Sequence, residues 1–370
     1  MALIPSSRYP AQTDTDAAYP QGKARNAGSY QDGTGTPLEA DWVNDVWGFL
    51  QALLAYASIT PSGDPDEVGA SQYMEAVQYV EAAASERAIL GSWTDVAAVF
   101  TELQQNVNWV DHLALFVTVG NDGSAFTSPD AHAWTSRDPD LVTDLNGLAA
   151  SASLGIVAVG QTGSVTHSTD AVAWSEQTSG VSDTLQAVAL HGSLFIAVGD
   201  AGTIITSPNG TAWTERTSGV AVQLLDVASN DTVAVAVGAT GTILTSPDGI
   251  TWTARTSGVA VFLGGVVWNG SLFIVNGSSG TILTSPDGIT WTARTSGVAS
   301  ALFGFGLTDN YVLAVGASDV LLASRDGITW ARVHHGLTTF GARAIAWNGA
   351  VAVAVGDTVN LTRSGARLPL

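Results

Sequence analysis

Five aspartates recur along the chain at an almost constant spacing, and paired carboxylates of this kind could act as acid and base in glycoside hydrolysis. With an asparagine at the matching place, they are Asp130, Asp170, Asn209, Asp248, Asp287 and Asp326. Arginines also recur, and an arginine cluster with a tyrosine–glutamate pair would suit an acidic sugar; the recurring arginines are Arg216, Arg255 and Arg294. Because successive positions in this series of five acids and one asparagine are 39 or 40 residues apart, each belongs to a separate copy of a repeated unit. We therefore predict structural roles for these residues and no catalytic site.

Histidines offer a second route to chemistry, as metal ligands. His334 and His335 are adjacent, and neighbouring residues on a strand point to opposite faces, so the pair is a poor bidentate site. The chain contains no cysteine, which excludes thiolate sites and disulfides. We predict no metal site and no cofactor, and we interpret the histidine pair as a variant loop, with receptor contact as the alternative.

The repeated unit that positions these residues has two further markers in phase with the acids. One is a glycine after small apolar residues, at Gly120, Gly160, Gly199, Gly238, Gly277, Gly316 and Gly356. The other is a tryptophan, at Trp134, Trp174, Trp213, Trp252, Trp291 and Trp330. Residues 241–260 and 280–299 are identical. Such a period indicates a stacked structural unit.

Each unit contains four short β-rich runs separated by turn residues, as in residues 185–219, where the fourth run is TAWTER. Four strands in about 40 residues, repeated radially, predict a β-propeller. Seven glycine markers predict seven blades, but the last unit ends before its fourth strand. Trp93 lies upstream where such a strand belongs, so we predict that residues 91–97 pair with residues 357–364 and close the ring.

The turn before each tryptophan, for example SPDGITW at residues 246–252, resembles the Asp box of bacterial neuraminidase repeats, with one residue fewer between aspartate and glycine. The resemblance covers roughly residues 105–364 and implies a propeller. It implies no activity, because the box occurs in many proteins that are not enzymes. We expect the Asp or Asn side chain to accept backbone N–H bonds, the glycine to be left-handed and the tryptophan to pack on the next blade.

Residues 1–90 lack the period. Residues 1–35 form an extended segment in this interpretation, and residues 36–90 form a two-helix module that begins at a Thr-x-x-Glu capping box. Apolar side chains along one side of the first helix exceed what two helices can cover, which predicts an attachment interface; they are Trp42, Val46, Trp47, Leu50 and Leu54. Residues 91–370 form the propeller.

The runs at residues 19–26, 32–54 and 59–77 resemble the N-terminal region of tail fibre and tail appendage proteins of tailed bacteriophages. This resemblance implies a protein of the virion tail, docked to other tail proteins through its N-terminal module and facing the host with its distal domain. By analogy with tail fibres, it also implies a homo-oligomer, with a trimer favoured. The family contributes no catalytic residues.

Positions whose residue changes from one repeat to the next predict which surface of the propeller binds a partner. The loops entering successive blades differ at Thr184, Gln223, Phe262, Ala301 and Phe340, and His334 and His335 replace the repeated sequence nearby. The turns after the marker glycines vary as well, and propellers usually bring the two loop sets to one face. We predict that this face binds a host glycan or protein.

Composition narrows the function classes. A net charge of -20 argues against binding nucleic acid or anionic membranes through a basic surface, and no apolar run is long enough to span a bilayer. The start of the chain does not resemble a signal peptide. Three classes remain: a tail appendage with a host-binding propeller, a virion decoration protein that binds only other virion proteins, and a sialidase-like enzyme, for which the sequence contains no suitable constellation.

Overall fold

The computed structural model describes residues 13–14, 23–24, 93–96, 100, 102–137, 142–333, 341–356 and 361–364. The chain divides into two compact units, Met1–Arg87 and Ala88–Leu370. In the first unit, Thr13–Asp14 pairs antiparallel with Lys23–Ala24. The helices predicted within residues 36–90, with the attachment residues from Trp42 to Leu54, lie outside the described residues.

The second unit consists of four-stranded antiparallel sheets, six of which are each formed by one continuous segment and are called blades 1 to 6 in chain order. Blade 1 contains the strands Gln104–Val110, Leu115–Gly120, Ala125–Ser128 and Thr135–Ser136. Blade 2 contains Leu145–Ser151, Gly155–Gly160, Val165–Ser168 and Ser175–Gln177. Blade 3 contains Leu185–His191, Leu194–Gly199, Ile204–Ser207 and Thr214–Arg216. Blade 4 contains Leu224–Ser229, Ala234–Gly238, Ile243–Ser246 and Thr253–Arg255. Blade 5 contains Leu263–Trp268, Phe273–Gly277, Ile282–Ser285 and Thr292–Arg294. Blade 6 contains Leu302–Leu307, Val312–Gly316, Val320–Ser324 and Ala331–Arg332. Short 3-10 turns follow the second strand in blades 1 to 5, at Asn121–Gly123, Gln161–Gly163, Asp200–Gly202, Ala239–Gly241 and Ser278–Gly280.

A further four-stranded sheet, called the composite sheet, joins the two ends of this unit. Its strands in spatial order are Ala342–Trp347, Ala352–Gly356, Leu361–Ser364 and Trp93–Val96. Trp93 is opposite Ser364 and Val96 is opposite Leu361, in antiparallel register. The pairing predicted between residues 91–97 and 357–364 is therefore observed for Trp93–Val96 and Leu361–Ser364, the part of it within the described residues, and it covers the edge that the strand Leu361–Ser364 would otherwise expose.

The first strands of the sheets contact one another in cyclic order, and the first strand of the composite sheet touches those of blades 6 and 1. Apolar side chains of adjacent sheets form the core between them. Between blades 3 and 4, for example, Ile196 and Leu224 are fully buried and Trp252 packs against their cluster. The second unit is thus a β-propeller of four-stranded blades, and the tryptophans after the Asp-box turns of blades 1 to 6 pack between blades as predicted.

The marker glycines are explained by close backbone contact. A Cβ atom at Gly238 would collide with the carbonyl oxygen of Gln223, in the loop that enters the same blade. The same collision recurs at Gly199 with Thr184 and at Gly277 with Phe262. The backbone at Gly238 is extended, so the requirement is for space and not for an unusual φ angle.

The Asp-box turns have the predicted hydrogen bonds. The Asp248 carboxylate accepts the backbone N–H groups of Ile250 and Thr251 at 2.9 and 2.7 Å, and Gly249 has a φ of 72°. The indole N–H of Trp252 donates to the Gly249 carbonyl at 3.2 Å. Because this turn occupies the residues around the tryptophan, the fourth strand begins later than predicted: Thr214–Arg216 replaces the TAWTER run at 211–216.

Blades 1 and 2 depart from this geometry. Ala131 and Ala171 hold the left-handed position, with φ of 62° and 60°, although alanine lacks the freedom of glycine there. In the described part of the chain, the buried indole N–H groups of Trp134 and Trp174 have no hydrogen-bond partner.

Candidate binding site at the central channel

The antiparallel strand order gives the propeller two distinct faces. The loops that enter the first strands and the turns between second and third strands lie at one end of the blades, here called the variable face. The hairpins between first and second strands and the Asp-box turns lie at the other end, here called the box face. The carboxylates of the box and the predicted recognition loops are therefore on opposite faces.

Backbone hydrogen bonds join the two loop sets of the variable face. The N–H groups of Asp200, Ala239 and Ser278 donate to the carbonyl oxygens of the residues that enter the same blades, at 2.9 Å. These acceptors are Thr184, Gln223 and Phe262, and Ala301 accepts a similar bond from Ala317 at 2.8 Å. The four predicted recognition positions thus lie on one face, next to the turns, as expected. His334, His335 and Phe340 lie outside the described residues.

A β-bulge at the start of every first strand opens toward the central channel. In blade 3, Leu185 pairs with Gly199 and Ala187 with Val198, which leaves Gln186 without a partner in the ladder. Such a bulge redirects a side chain away from the regular alternation. The equivalent residues of blades 1 to 6 and of the composite sheet are Gln105, Asn146, Gln186, Leu225, Gly264, Phe303 and Arg343, and all seven line one cavity of about 370 Å³.

This ring of residues was missed by the sequence analysis, although the sequence contains a signal for it. The bulge residue is two positions beyond the loop residue that was chosen, as Gln186 is beyond Thr184. A leucine precedes it in each of blades 2 to 6, whereas the bulge residue itself differs between consecutive blades. Strict alternation would have predicted the wrong face for the residues that follow, because a bulge shifts the register by one.

Amide side chains from blades 1 to 3 line one side of the channel, and each is held by a bond from its own N–H group. Asn146 donates to the Leu185 carbonyl at 3.0 Å, and Asn108 donates to the Leu148 carbonyl at 2.7 Å. Gln186 donates to the Asp200 carboxylate at 3.0 Å. The other side of the channel is more apolar, since Leu225 and Phe303 line it and Phe303 is 37% exposed.

Asp200 connects the channel to the rim. The same oxygen, Asp200 Oδ1, accepts N–H bonds from Gln186 at 3.0 Å and from Gln223 at 2.7 Å. Gln186 lines the channel, and Gln223 is one of the predicted recognition residues. The Asp200 carboxylate thus links Gln223, at the rim, to Gln186, in the channel wall. Phe262 in a neighbouring loop is 53% exposed.

Asp226 is the carboxylate of the channel wall. Its two oxygens accept backbone N–H bonds at 2.8 Å, one from Val227 of its own strand and one from Val266 of blade 5. It keeps some exposed surface on the channel but is surrounded by protein, and this burial raises its pKa to about 7, against the opposing effect of the two N–H bonds. No charged neighbour contributes to the shift.

The repeated arginines and acids have scaffold roles. The Nε atoms of Arg216, Arg255 and Arg294 each donate to a threonine of the adjacent strand at 2.8 Å. The box carboxylates accept backbone N–H bonds, and those of Thr251 and Ile250 lower the pKa of Asp248 to about 2. Similar bonds lower the pKa of the other box aspartates, which are Asp130, Asp170, Asp287 and Asp326. Asn209 accepts the matching bonds from Thr211 and Ala212.

Within the described ranges, no group of three or more histidine or acidic side chains is arranged to hold a metal ion. The same part of the chain contains no helix long and apolar enough to cross a membrane.

No protein-family model and no curated protein matches this sequence. Its fold, however, is similar to several solved structures. YCF48 from Cyanidioschyzon merolae has a TM-score of 0.58 at 15% identity, over 74% of this chain and 99% of that chain. YCF48 bound to D1 peptide has a TM-score of 0.63 at 16% identity, over 76% and 97%. The WD40 repeats of RRP9 have a TM-score of 0.60 at 9% identity, over 75% and 98%. Identities this low establish the β-propeller fold alone.

Proposed function

We propose that this protein is a structural component of a bacteriophage virion, a tail fibre or tail appendage whose propeller binds the host surface. Residues 1–90 would dock to other tail proteins through a helical module, with Trp42 and Trp47 at the interface. The composite sheet would act as the seventh blade that closes the propeller. The protein would work by binding, without a cofactor and without catalysis, as a homo-oligomer on the extracellular particle.

One observation carries the binding role: the residues at seven equivalent bulge positions do not follow the repeat, and all seven line one cavity. A scaffold position in a repeat protein tends to keep its residue, as the box aspartates do. The resemblance of residues 19–77 to phage tail proteins supplies the virion context. A propeller of similar fold, YCF48, has been seen bound to a peptide, which supports a binding role for such a ring.

The decoration-protein alternative uses the same cavity but directs it toward other virion proteins. The glycan-degrading alternative requires convergent carboxylates, and the box acids point away from it because they bond to their own turns on the box face.

Separate expression of residues 1–90 and 91–370 tests the proposal. Purified pieces would be mixed with virions that lack this protein and, in parallel, with host cells. We expect the N-terminal piece to join virions and the propeller to join cells. If the isolated propeller assembled onto virions and ignored cells, the decoration role would replace the proposed one. Release of sugar from host polysaccharide by the propeller would contradict the non-enzymatic role.

A further inference from the structure

Hydrogen bonding leaves the amide side of the channel rich in acceptors. Asn108 and Asn146 donate to backbone carbonyls, and Gln186 donates to a carboxylate. Each partner can only accept, so the N–H₂ group of each amide must face its partner. Each side chain keeps a second N–H and its carbonyl oxygen, and none of these three oxygens has a hydrogen-bond partner within the described part of the chain. They are free to accept from a ligand.

Gln105 extends the same pattern into blade 1. Its Nε2 donates to Asn121 at 2.7 Å, and Gln105 lines the cavity beside Asn106. The amide oxygens of blades 1 to 3 therefore form one arc of the channel wall. Asp226 in blade 4 continues this arc with a carboxylate.

Carboxylates also lie on the variable face. Asp144 accepts bonds from the Asp122 backbone and from Gln161. Asp200 holds Gln186 and Gln223. Among the described residues that line the cavity, Arg343 is the one cation, and it belongs to the composite sheet, whereas the amides belong to blades 1 to 3. The protein as a whole carries a net charge of -20, which favours association with cationic partners.

We propose that the channel mouth binds a guanidinium or ammonium group, supplied by an arginine or lysine side chain of a protein partner. Such a group has only donors, which matches the unengaged amide oxygens of the arc and the Asp226 carboxylate beside them. A neutral sugar would use the second N–H of each amide as well as the oxygens, and the titration below distinguishes it from a cation. Leu225 and Phe303 can contact the aliphatic stem of the same side chain. This inference rests on the proposed binding role and specifies its ligand.

Calorimetric titration of the full chain with short capped peptides tests the idea. The probes are acetyl-Gly-Arg-Gly-amide, its lysine counterpart, its citrulline counterpart and the neutral sugar maltotriose. Citrulline keeps the shape of arginine and removes its charge. We expect saturable binding of the arginine or lysine peptide and at least tenfold weaker binding of the citrulline peptide and of maltotriose.

Two substitutions locate the site. In titrations at a pH above the raised pKa of about 7, where the Asp226 side chain is ionised, Asp226→Asn removes the channel charge and should weaken binding of the arginine peptide about tenfold. Leu225→Lys places a cation beside Asp226 at a bulge position outside the ladder and should abolish binding even if Asp226→Asn proves unstable. Asp111→Asn removes one negative charge from the hairpin on the box face and should leave affinity unchanged, provided that each variant melts normally.

Several results would overturn the proposal: no binding of either basic peptide, equal binding of the citrulline peptide, preferential binding of maltotriose, or full binding by Leu225→Lys. Preference for maltotriose would indicate a glycan site. These outcomes leave attachment of residues 1–90 to virions and of the propeller to cells unaffected, so failure of the ligand assignment is distinguishable from failure of the proposed function.

Discussion

Two backbone irregularities recur in the blades, the Asp-box turn and the bulge of the first strand, and they differ in whether the same residue recurs with them. The Asp-box turn repeats both its geometry and its residues, as Asp248 and Asp287 illustrate. The bulge at the start of the first strand repeats its geometry but changes its residue, from Gln186 to Leu225 to Gly264. A recurring shape with a constant side chain indicates scaffold, and a recurring shape with a changing side chain indicates recognition.

The hydrogen bonds explain this difference. The box side chain bonds to the backbone of its own turn, so replacing it leaves N–H groups of the turn unpaired. The bulge residue has no partner in the strand ladder, and its side chain extends into the channel. Sequence change there alters the channel wall with little effect on the fold.

The largest expected effect comes from opening the propeller. Deletion of residues 91–97 would uncover the strand Leu361–Ser364, and we expect a loss of several kcal/mol, which corresponds to a melting temperature lower by roughly 10 °C. Differential scanning calorimetry measures it. Adding a synthetic peptide of residues 91–97 should restore part of the loss. An unchanged melting temperature would mean that the composite sheet does not contribute to stability.

The next effect concerns glycines and alanines of the scaffold. Gly238→Ala should cost about 3 kcal/mol, because the new Cβ collides with the Gln223 carbonyl and the backbone must move. Ala171→Gly should instead be neutral or stabilise by up to about 1 kcal/mol, because Ala171 is left-handed. Urea denaturation of both variants checks the opposite signs. A destabilising Ala171→Gly would contradict this account of the turn.

Stability should depend on pH in two opposite ways. The box aspartates have folded pKa values below the unfolded value of 3.8, about 2 for Asp248, so their contribution is lost as pH falls from about 4 to 2. Asp226 has a raised pKa of about 7, so the folded state binds more protons and stability declines as pH rises from about 4 to 7.

Unfolding measured across this pH range separates the two groups. Asp226→Asn should remove the decline in the free energy of unfolding between about pH 4 and 7. It should leave the loss of stability between about pH 4 and 2 unchanged. Asp287→Asn should reduce only the loss of stability between about pH 4 and 2, because Asn209 shows that an asparagine can accept the same turn bonds without titrating. Retention of the decline in Asp226→Asn would show that another group causes it.

The smallest effect on stability should come from the bulge itself. Asn146→Ala and Gln186→Ala each remove one hydrogen bond at a position outside the ladder, so each should cost no more than about 1 kcal/mol. Asp248→Ala, which loses the bonds to Ile250 and Thr251, is the matched scaffold variant and should cost more. If the bulge variants were the more costly ones, the distinction between the two irregularities would fail.

The sequence was sufficient for the propeller because repetition, turn residues and marker glycines are all local signals. It also predicted the pairing of Trp93–Val96, since the phase of Trp93 reveals a strand whose partner is far away along the chain. The boundaries of the fourth strands were wrong by about three residues, because the Asx turn at Asn209 continues farther than the turn residues suggest.

The channel could not be derived in the same way. A bulge depends on how two strands pair, and period-2 alternation does not encode it. The positions of Thr184 and Gln223 on the variable face were predicted correctly, but the side chains that line the cavity come two residues later. The raised pKa of Asp226 depends on burial between blades, which no local pattern reports.

The most direct test of the central claim is the adsorption rate of virions that carry a substituted channel. Virions with Leu225→Lys should assemble in normal numbers and adsorb to host cells at least tenfold more slowly than unmodified virions. Virions with Asp111→Asn, on the box face, should adsorb normally. Normal adsorption by the Leu225→Lys virions would contradict a host-binding role for the channel mouth.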